Sequence, residues 1–292
     1  MKTHTSSGLR KAGLGIMVIL SAAIASVCQG QGTNAPFPGQ KGDYHGYERY
    51  SFSVDGVDCL VVTPKQAASG KPWIWRAEFF DHHPEIDLGL LANGFHLAYM
   101  NVGNTFGCPD AMAHFLVFYN ELTGKYALSK KPVLEGLSRG GLYVYNFAAA
   151  NPDKVGAILG DNPVCDFKSW PGGKGKGPGS GGDWQKVIKD YHFKSEQEAM
   201  AYDKNPVDNL KPLADAKIPI LHLAGDADEV VPYPENTVVI KERYEKLGGD
   251  ITVIVKKGMK HHPHGLQDPT PAVEWVLKQL KVAPAAAAAN KQ

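Results

Sequence analysis

The sequence predicts an α/β fold built on a mainly parallel sheet. Short apolar runs of strand length alternate with longer amphipathic stretches of helical length, the pattern of βαβ crossovers. One such run leads through Gly136-Leu137-Ser138-Arg139-Gly140-Gly141 straight into a helix. With 43% apolar residues in a chain of 292, there is enough to bury one large core or two modest ones.

Taken in order, residues 31–45 are polar and rich in Pro and Gly, and read as a linker. Residues 47–54 and 57–63 flank Asp55-Gly56, a hairpin turn pair, and read as two antiparallel strands. Residues 73–75 form a short buried strand, and 86–91 a helix ending at Gly94. A strand is expected at 95–102, and helical spacing runs over 110–122. Strand 132–135, helix 140–150 and strand 155–160 follow. The last elements are strand 218–224, helix 235–247, strand 251–255 and helix 271–280. The tail, 283–292, is low in complexity and reads as disordered, so the folded domain spans 46–282.

Residues 165–215 interrupt this rhythm. Within them, 171–183 holds seven of the 32 glycines and is expected to carry no regular element. Such an insertion is either a lid beside a site or an exposed surface loop, and the flanking Trp170 and Trp184 favour the lid.

The first thirty residues stand apart. Lys2, Arg10 and Lys11 precede a short apolar stretch rich in small residues, 12–27, which reads as a secretory signal peptide too short to span a membrane. Cleavage after Ala25 or Gly30 would fit the small residues there. Cys28 is a poor lipidation site, because Val27 before it is bulky. The expected location is therefore secreted or periplasmic, with no stable membrane insertion once the signal is removed. The formal charge of +1 for the whole chain becomes −2 without residues 1–30, which excludes the electrostatic footprint of a nucleic-acid binder. Cys59, Cys108 and Cys165 remain, enough for one disulfide at most.

The Gly-x-Ser-x-Gly run between a strand and a helix is a nucleophile elbow. Its turn is so tight that glycine is needed at Gly136 and Gly140, while Gly141 lets the helix lie close to the sheet. Ser138 is thereby the expected nucleophile, and the backbone N–H of Arg139 points at the reacting carbonyl oxygen. A serine hydroxyl needs a base and an orienting acid. The strand at 218–224 runs into Gly225-Asp226-Ala227-Asp228-Glu229-Val230-Val231-Pro232, which places Asp228 as the acid, with Asp226 as competitor and Asp161 as an outside choice. The strand at 251–255 runs into Gly258-Met259-Lys260-His261-His262-Pro263-His264, which places His261 as the base. His262 is its runner-up and otherwise meets substrate, and His264 orders the loop or meets substrate. The chain order is Ser138, Asp228, His261.

From about residue 47 to 282 the chain resembles the α/β-hydrolases. More narrowly, it resembles exported bacterial hydrolases of the prolyl-oligopeptidase-like and acetyl-xylan-type carbohydrate esterase kinds. The likeness is carried by residues 75–85, 134–141, 161–173, 225–232 and 261–266. In one respect it departs, since Arg76-Ala77 stand where many hydrolases have His-Gly after the third strand. By position, the second oxyanion N–H then comes from Glu78 or its neighbour. Glu78 and Arg139 are candidates for an ion pair beside it.

Five of the eleven histidines lie in two short runs, His82-His83 and His261 to His264. Neither run has the helical spacing usual for zinc, so no metal and no cofactor are expected. Trp170 and Trp184 could offer flat faces to a sugar ring, whereas Trp73, Trp75 and Trp275 read as packing. The expected function is a secreted serine esterase acting on a small-molecule or glycan ester, with short acyl groups on carbohydrate as the favoured substrate. The first alternative is a prolyl-oligopeptidase-like peptidase, disfavoured because little chain precedes the first strand to make the usual propeller. The second is a non-catalytic carbohydrate-binding relative.

Overall fold

The computed structural model describes residues 36–284, so the expected signal peptide and most of the tail lie outside the described residues. Among the described residues, nine strands form one sheet in the order β1-β2-β3-β5-β4-β6-β7-β8-β9. These are β1 Gln40–Tyr44, β2 Tyr47–Val54, β3 Val57–Thr63, β4 Trp73–Arg76, β5 His96–Met100, β6 Val133–Leu137, β7 Ala157–Asp161, β8 Ile220–Gly225 and β9 Ile251–Lys256. The first three and the β3–β5 pairing are antiparallel. From β5 through β4 to β9 every pairing is parallel.

Helices cover both faces: α1 Glu85–Ala92, α2 Pro109–Gly124, α3 Gly140–Ala150, α4 Gly181–Asp190, α5 Glu196–Ala201, α6 Lys211–Asp215, α7 Thr237–Lys246 and α8 Thr270–Leu280. Two-residue periodicity divides the core between the faces. Val61, Trp73, Trp75, Leu134 and Ile158 point into one apolar cluster with α2 and α3, while Val62, Ile74, Val133 and Leu159 point into the other with α1 and α8. None of the described helices is long and apolar enough to cross a membrane.

Two boundaries differ from the sequence reading. The stretch expected as linker up to residue 45 contains β1, paired with β2 from Gln40 opposite Ser51 to Tyr44 opposite Tyr47. His45 and Gly46 both take positive φ, 49° and 80°, the conformation a tight two-residue hairpin turn needs. Phe37, 4% exposed, packs on Tyr50 and Tyr126 and anchors the start of the strand. The glycine run also yields to a helix: α4 starts at Gly181, where Ser180 bonds Asp183 and the following Trp184 and Val187 bury one face. The segment 165–215 does not stand away as a flap. Its Phe167, Trp184, Tyr191, Val207 and Leu213 join the same apolar cluster as α2 and α3.

A buried ion cluster lies beneath the C-terminal edge of the sheet. Arg76, at the end of β4, is fully buried and bonded to Asp87 of α1 at 2.7 Å and to Glu135 of β6 at 3.2 Å. Burial, against the pull of Arg76 and reinforced by the nearby Asp87, pushes the Glu135 carboxyl well above the ordinary range. Arg76 supplies the positive charge that both carboxyls face. Its guanidinium also donates to the carbonyls of Phe79 at 3.2 Å and His82 at 3.0 Å, so the position that departs from the family pattern holds the loop after β4.

Removing this cation strands buried acids. Arg76→Met is expected to destabilise the fold by about 3–5 kcal/mol, read from urea midpoints. A second expectation concerns pH. His222 on β8 is enclosed, takes a hydrogen bond from Tyr145 and faces Thr237, and burial lowers its pKa to about 3. Burial likewise lowers His96 to about 4. Between those values and the ordinary one near 6.5, the unfolded chain binds more protons than the folded one. Stability is thus fully present above pH 6.5 and falls with acidification, His222 alone contributing about 1.4 kcal/mol per pH unit within that window. A His222→Gln variant should show a shallower acid slope in urea titrations; an unchanged slope would refute this account.

Candidate active site

The parallel strands end side by side at one edge of the sheet, and three loops from that edge build the site. Ser138 follows β6 in the left-handed region, φ 48°, a conformation non-glycine residues rarely adopt. Close approach explains two of the glycines. A Cβ on Gly136 would lie 2.6 Å from the Gly140 carbonyl oxygen, and one on Gly141 would lie 2.5 Å from the Val164 carbonyl oxygen. Gly140 is less constrained than the sequence reading held, since a Cβ there would meet Glu78 at an ordinary 3.5 Å. The turn is braced by the Ser138 N–H donating to the Asp161 carbonyl at 2.9 Å, and by Val164 N–H donating to the Ser138 carbonyl at 2.8 Å.

The Ser138 hydroxyl lies 2.9 Å from His261 Nε2, and His261 Nδ1 lies 2.7 Å from Asp228 Oδ2. With the proton on Nδ1, the imidazole donates to Asp228 and accepts from Ser138. Asp228 is held in turn by the Val230 and Val231 N–H groups, both at 2.9 Å from its other oxygen. The competing acids are engaged elsewhere. Asp226 accepts from the Gly258 N–H at 2.6 Å. Asp161 accepts from Lys256 at 2.8 Å and from the Gly265 N–H. Ser138, half-buried, is the exposed end of this chain, while His261 and Asp228 are 5% and 6% exposed.

The two backbone N–H groups expected as oxyanion donors are unpaired. Among the described residues, neither the Arg139 nor the Glu78 N–H is bonded to another group, and Glu78 N lies 4.0 Å from where a Gly140 Cβ would stand. The Arg139 side chain does pair with Glu78, at 3.0 Å, and lies 4.5 Å over the Phe79 ring. Burial raises the Glu78 pKa, and Arg139 opposes it. The arrangement offers a nucleophile, a base and an orienting acid, the reactive parts that acyl transfer requires, with two unpaired N–H groups on the adjoining loops.

The expected substrate-facing residues divide. His262 is exposed, its ring 4.9 Å from that of His261. Trp184 is 5% exposed and fills the core of the insertion against Phe167, so it has no open face for a sugar. Trp170 packs its half-buried ring against Phe106 and makes no ring or hydrogen-bond contact with Ser138, His261 or Asp228. Cys59, Cys108 and Cys165 are all buried free thiols.

Sequence reasoning missed Asn162. Its side chain donates to the His261 carbonyl at 2.8 Å and accepts from the Gly225 N–H at 2.8 Å, joining the histidine loop to the aspartate loop. The signal was an Asn-Pro directly after a strand, with Asn162 at φ 43°. Only the fold shows what the two ends of its amide reach.

Known proteins place this geometry. The model of the prolyl oligopeptidase family matches residues 109–283. Among solved structures, the esterase Est1E from Butyrivibrio proteoclasticus is 18% identical with a TM-score of 0.57, over 80% of this chain and 99% of that one. A puromycin hydrolase is 14% identical with a TM-score of 0.60, over 82% of this chain. An acylaminoacyl peptidase of Pyrococcus horikoshii is 14% identical with a TM-score of 0.59, over 80% of this chain. This chain spans 40% and 41% of the length of those two enzymes. No curated protein matches it in sequence. The match over residues 109–283, across the elbow and both loops, shows that the chain belongs to the prolyl oligopeptidase family, within the α/β-hydrolase superfamily.

Proposed function

We propose that the protein is a serine esterase that removes short acyl groups from a carbohydrate or similar alcohol. The carrying observation is the continuous chain from Ser138 through His261 to Asp228, at 2.9 and 2.7 Å. In this reading His261 takes the Ser138 proton as Oγ attacks the ester carbonyl. The tetrahedral oxyanion is received by the Arg139 and Glu78 N–H groups, each worth about 3–4 kcal/mol to the transition state. His261 then protonates the leaving alcohol. Water enters, gives a proton to His261 and hydrolyses the acyl-enzyme, restoring Ser138.

Two features support an ester on a glycan. The serine sits at an edge rimmed by polar groups, His262 and Arg139 among them, where a polymer-borne acyl group can approach. The likeness to Est1E also extends over nearly all of that esterase. We further propose export of the chain, on the charged and apolar character of residues 1–30. The family match and the peptidase structures favour a second reading, cleavage of peptides by the same residues.

Ser138→Ala should abolish hydrolysis of activated short-chain esters while leaving the circular dichroism spectrum unchanged; undiminished turnover would overturn the assignment. Asp228→Asn should lower kcat on the order of 10⁴-fold, through loss of the required His261 tautomer. Acetate release from acetylated polysaccharides, set beside amine release from aminoacyl-proline chromogens, separates the two readings. Labelling of Ser138 by an organophosphate distinguishes either from a silent binding protein.

A further inference from the structure

His261, His262 and His264 converge at the mouth of the site, each offering a ring nitrogen within 4.8 Å of the others. Their ring centroids are 4.9, 4.9 and 5.0 Å apart, with interplanar angles of 78°, 81° and 86°. A zinc–imidazole bond of about 2.0–2.1 Å puts the ring centroid roughly 3.2 Å from the ion, so tetrahedral ligation separates centroids by about 5.2 Å. The ring centroids stand within a few tenths of an ångström of that spacing, and the ring nitrogens, within 4.8 Å of one another, must turn inward to reach the roughly 3.3 Å that tetrahedral ligation sets.

The supporting carboxylates point the same way. Asp228 holds His261 through Nδ1 at 2.7 Å, and Asp161 faces His264 Nδ1 at 3.4 Å. In His261 this leaves Nε2, shared with the Ser138 hydroxyl, as the binding atom, while His264 Nδ1 is not hydrogen-bonded, so that ring can offer either nitrogen. A carboxylate on the far ring nitrogen is the arrangement that orients metal-binding histidines and raises their basicity. His262 is exposed and gives an ion a way in, and the His82 ring lies 5.9 Å from His264 and 6.4 Å from His262, near enough to join or to hold a bound water. Sequence spacing argued against a metal because it weighed helical spacings. Here a loop turn and a second loop do the gathering.

We propose that His261, His262 and His264 form a binding site for a divalent transition ion of the zinc type, and that occupancy reversibly silences the enzyme. The imidazole set favours zinc, nickel or copper over magnesium or calcium. Inhibition follows because His261 Nε2 is the atom that accepts the Ser138 proton, and it cannot also bind the ion. That second half rests on the proposed role of Ser138 and His261; the binding half does not.

The test uses zinc chloride with the whole protein, by calorimetry and by ester hydrolysis. Wild type should bind one zinc and lose activity in parallel, recovering with a chelator, while magnesium has no effect. Ser138→Ala should bind zinc at least as tightly, which keeps the binding half measurable even if the hydrolase reading fails. His262→Ala, at an exposed position, and His82→Ala with it, should weaken binding and raise the inhibitory concentration at least about tenfold, each read against that variant's own uninhibited rate. Absence of stoichiometric binding, binding untouched by His262→Ala, or binding without inhibition in an active enzyme would each overturn the proposal.

Discussion

Asp161 and Asn162, at the C-terminal end of β7, are tied to all three loops that bear the reactive side chains. The Asp161 carbonyl receives the Ser138 N–H, and its carboxylate receives Lys256 and the Gly265 N–H behind His261. Asn162 spans from Gly225, where the aspartate loop departs, to the carbonyl of His261. The reacting atoms come from residues 138, 228 and 261, far apart in sequence, and distances near 2.9 Å between them tolerate little error. Fixing all three loops to one strand end makes their mutual error small. Asp161 can do this because it stays charged: burial would raise its pKa, but His264 and Lys256 outweigh it and hold the carboxyl below the usual range.

The loop after β4 is held differently. Phe79, Asp81 and His83 all take positive φ, 54°, 66° and 51°. Left-handed residues of this kind cost about 1–2 kcal/mol each, and they persist where the surroundings over-determine them. The surroundings here are the Arg76 guanidinium, which collects the Phe79 and His82 carbonyls from below while Asp87 and Glu135 pair with it. A His-Gly pair at this point would leave the loop to glycine's freedom. Arginine instead makes the Glu78 N–H and the His82 ring part of one rigid unit with the sheet.

How much of this could be read from residues alone depends on whether the signal was local. The elbow was legible because a tight turn makes a local demand, glycine beside serine, and the acid and base were legible because each sits just past an apolar strand. The choice of Asp228 over Asp226 followed from position in the turn, and the structure supplies its reason in the paired Val230 and Val231 N–H groups. β1 was missed because Lys41 to Asp43 are polar, as an exposed edge strand can be, and only the His45-Gly46 turn announced it. Trp184 was misjudged because indole suits a core and a sugar platform equally, and burial decides between them. Asn162 left almost no local trace, since its partners lie on other loops, whereas the gathered histidines showed as a run that was weighed only against helical spacing.

The histidine cluster follows from the same geometry that makes His261 a base. A carboxylate fixed on Nδ1 orients the ring and aims Nε2 outward, whether the arriving species is a proton or a metal ion. Asp228 does this for His261, and Asp161 lies 3.4 Å from His264 Nδ1 while anchoring the loop between them. A loop stiff enough to hold one imidazole on Ser138 therefore also holds its neighbours at nearly fixed separations. Loosening the loop would disperse the cluster and lengthen the Ser138 contact together, so proton transfer and ion capture draw on one constraint at the end of β7.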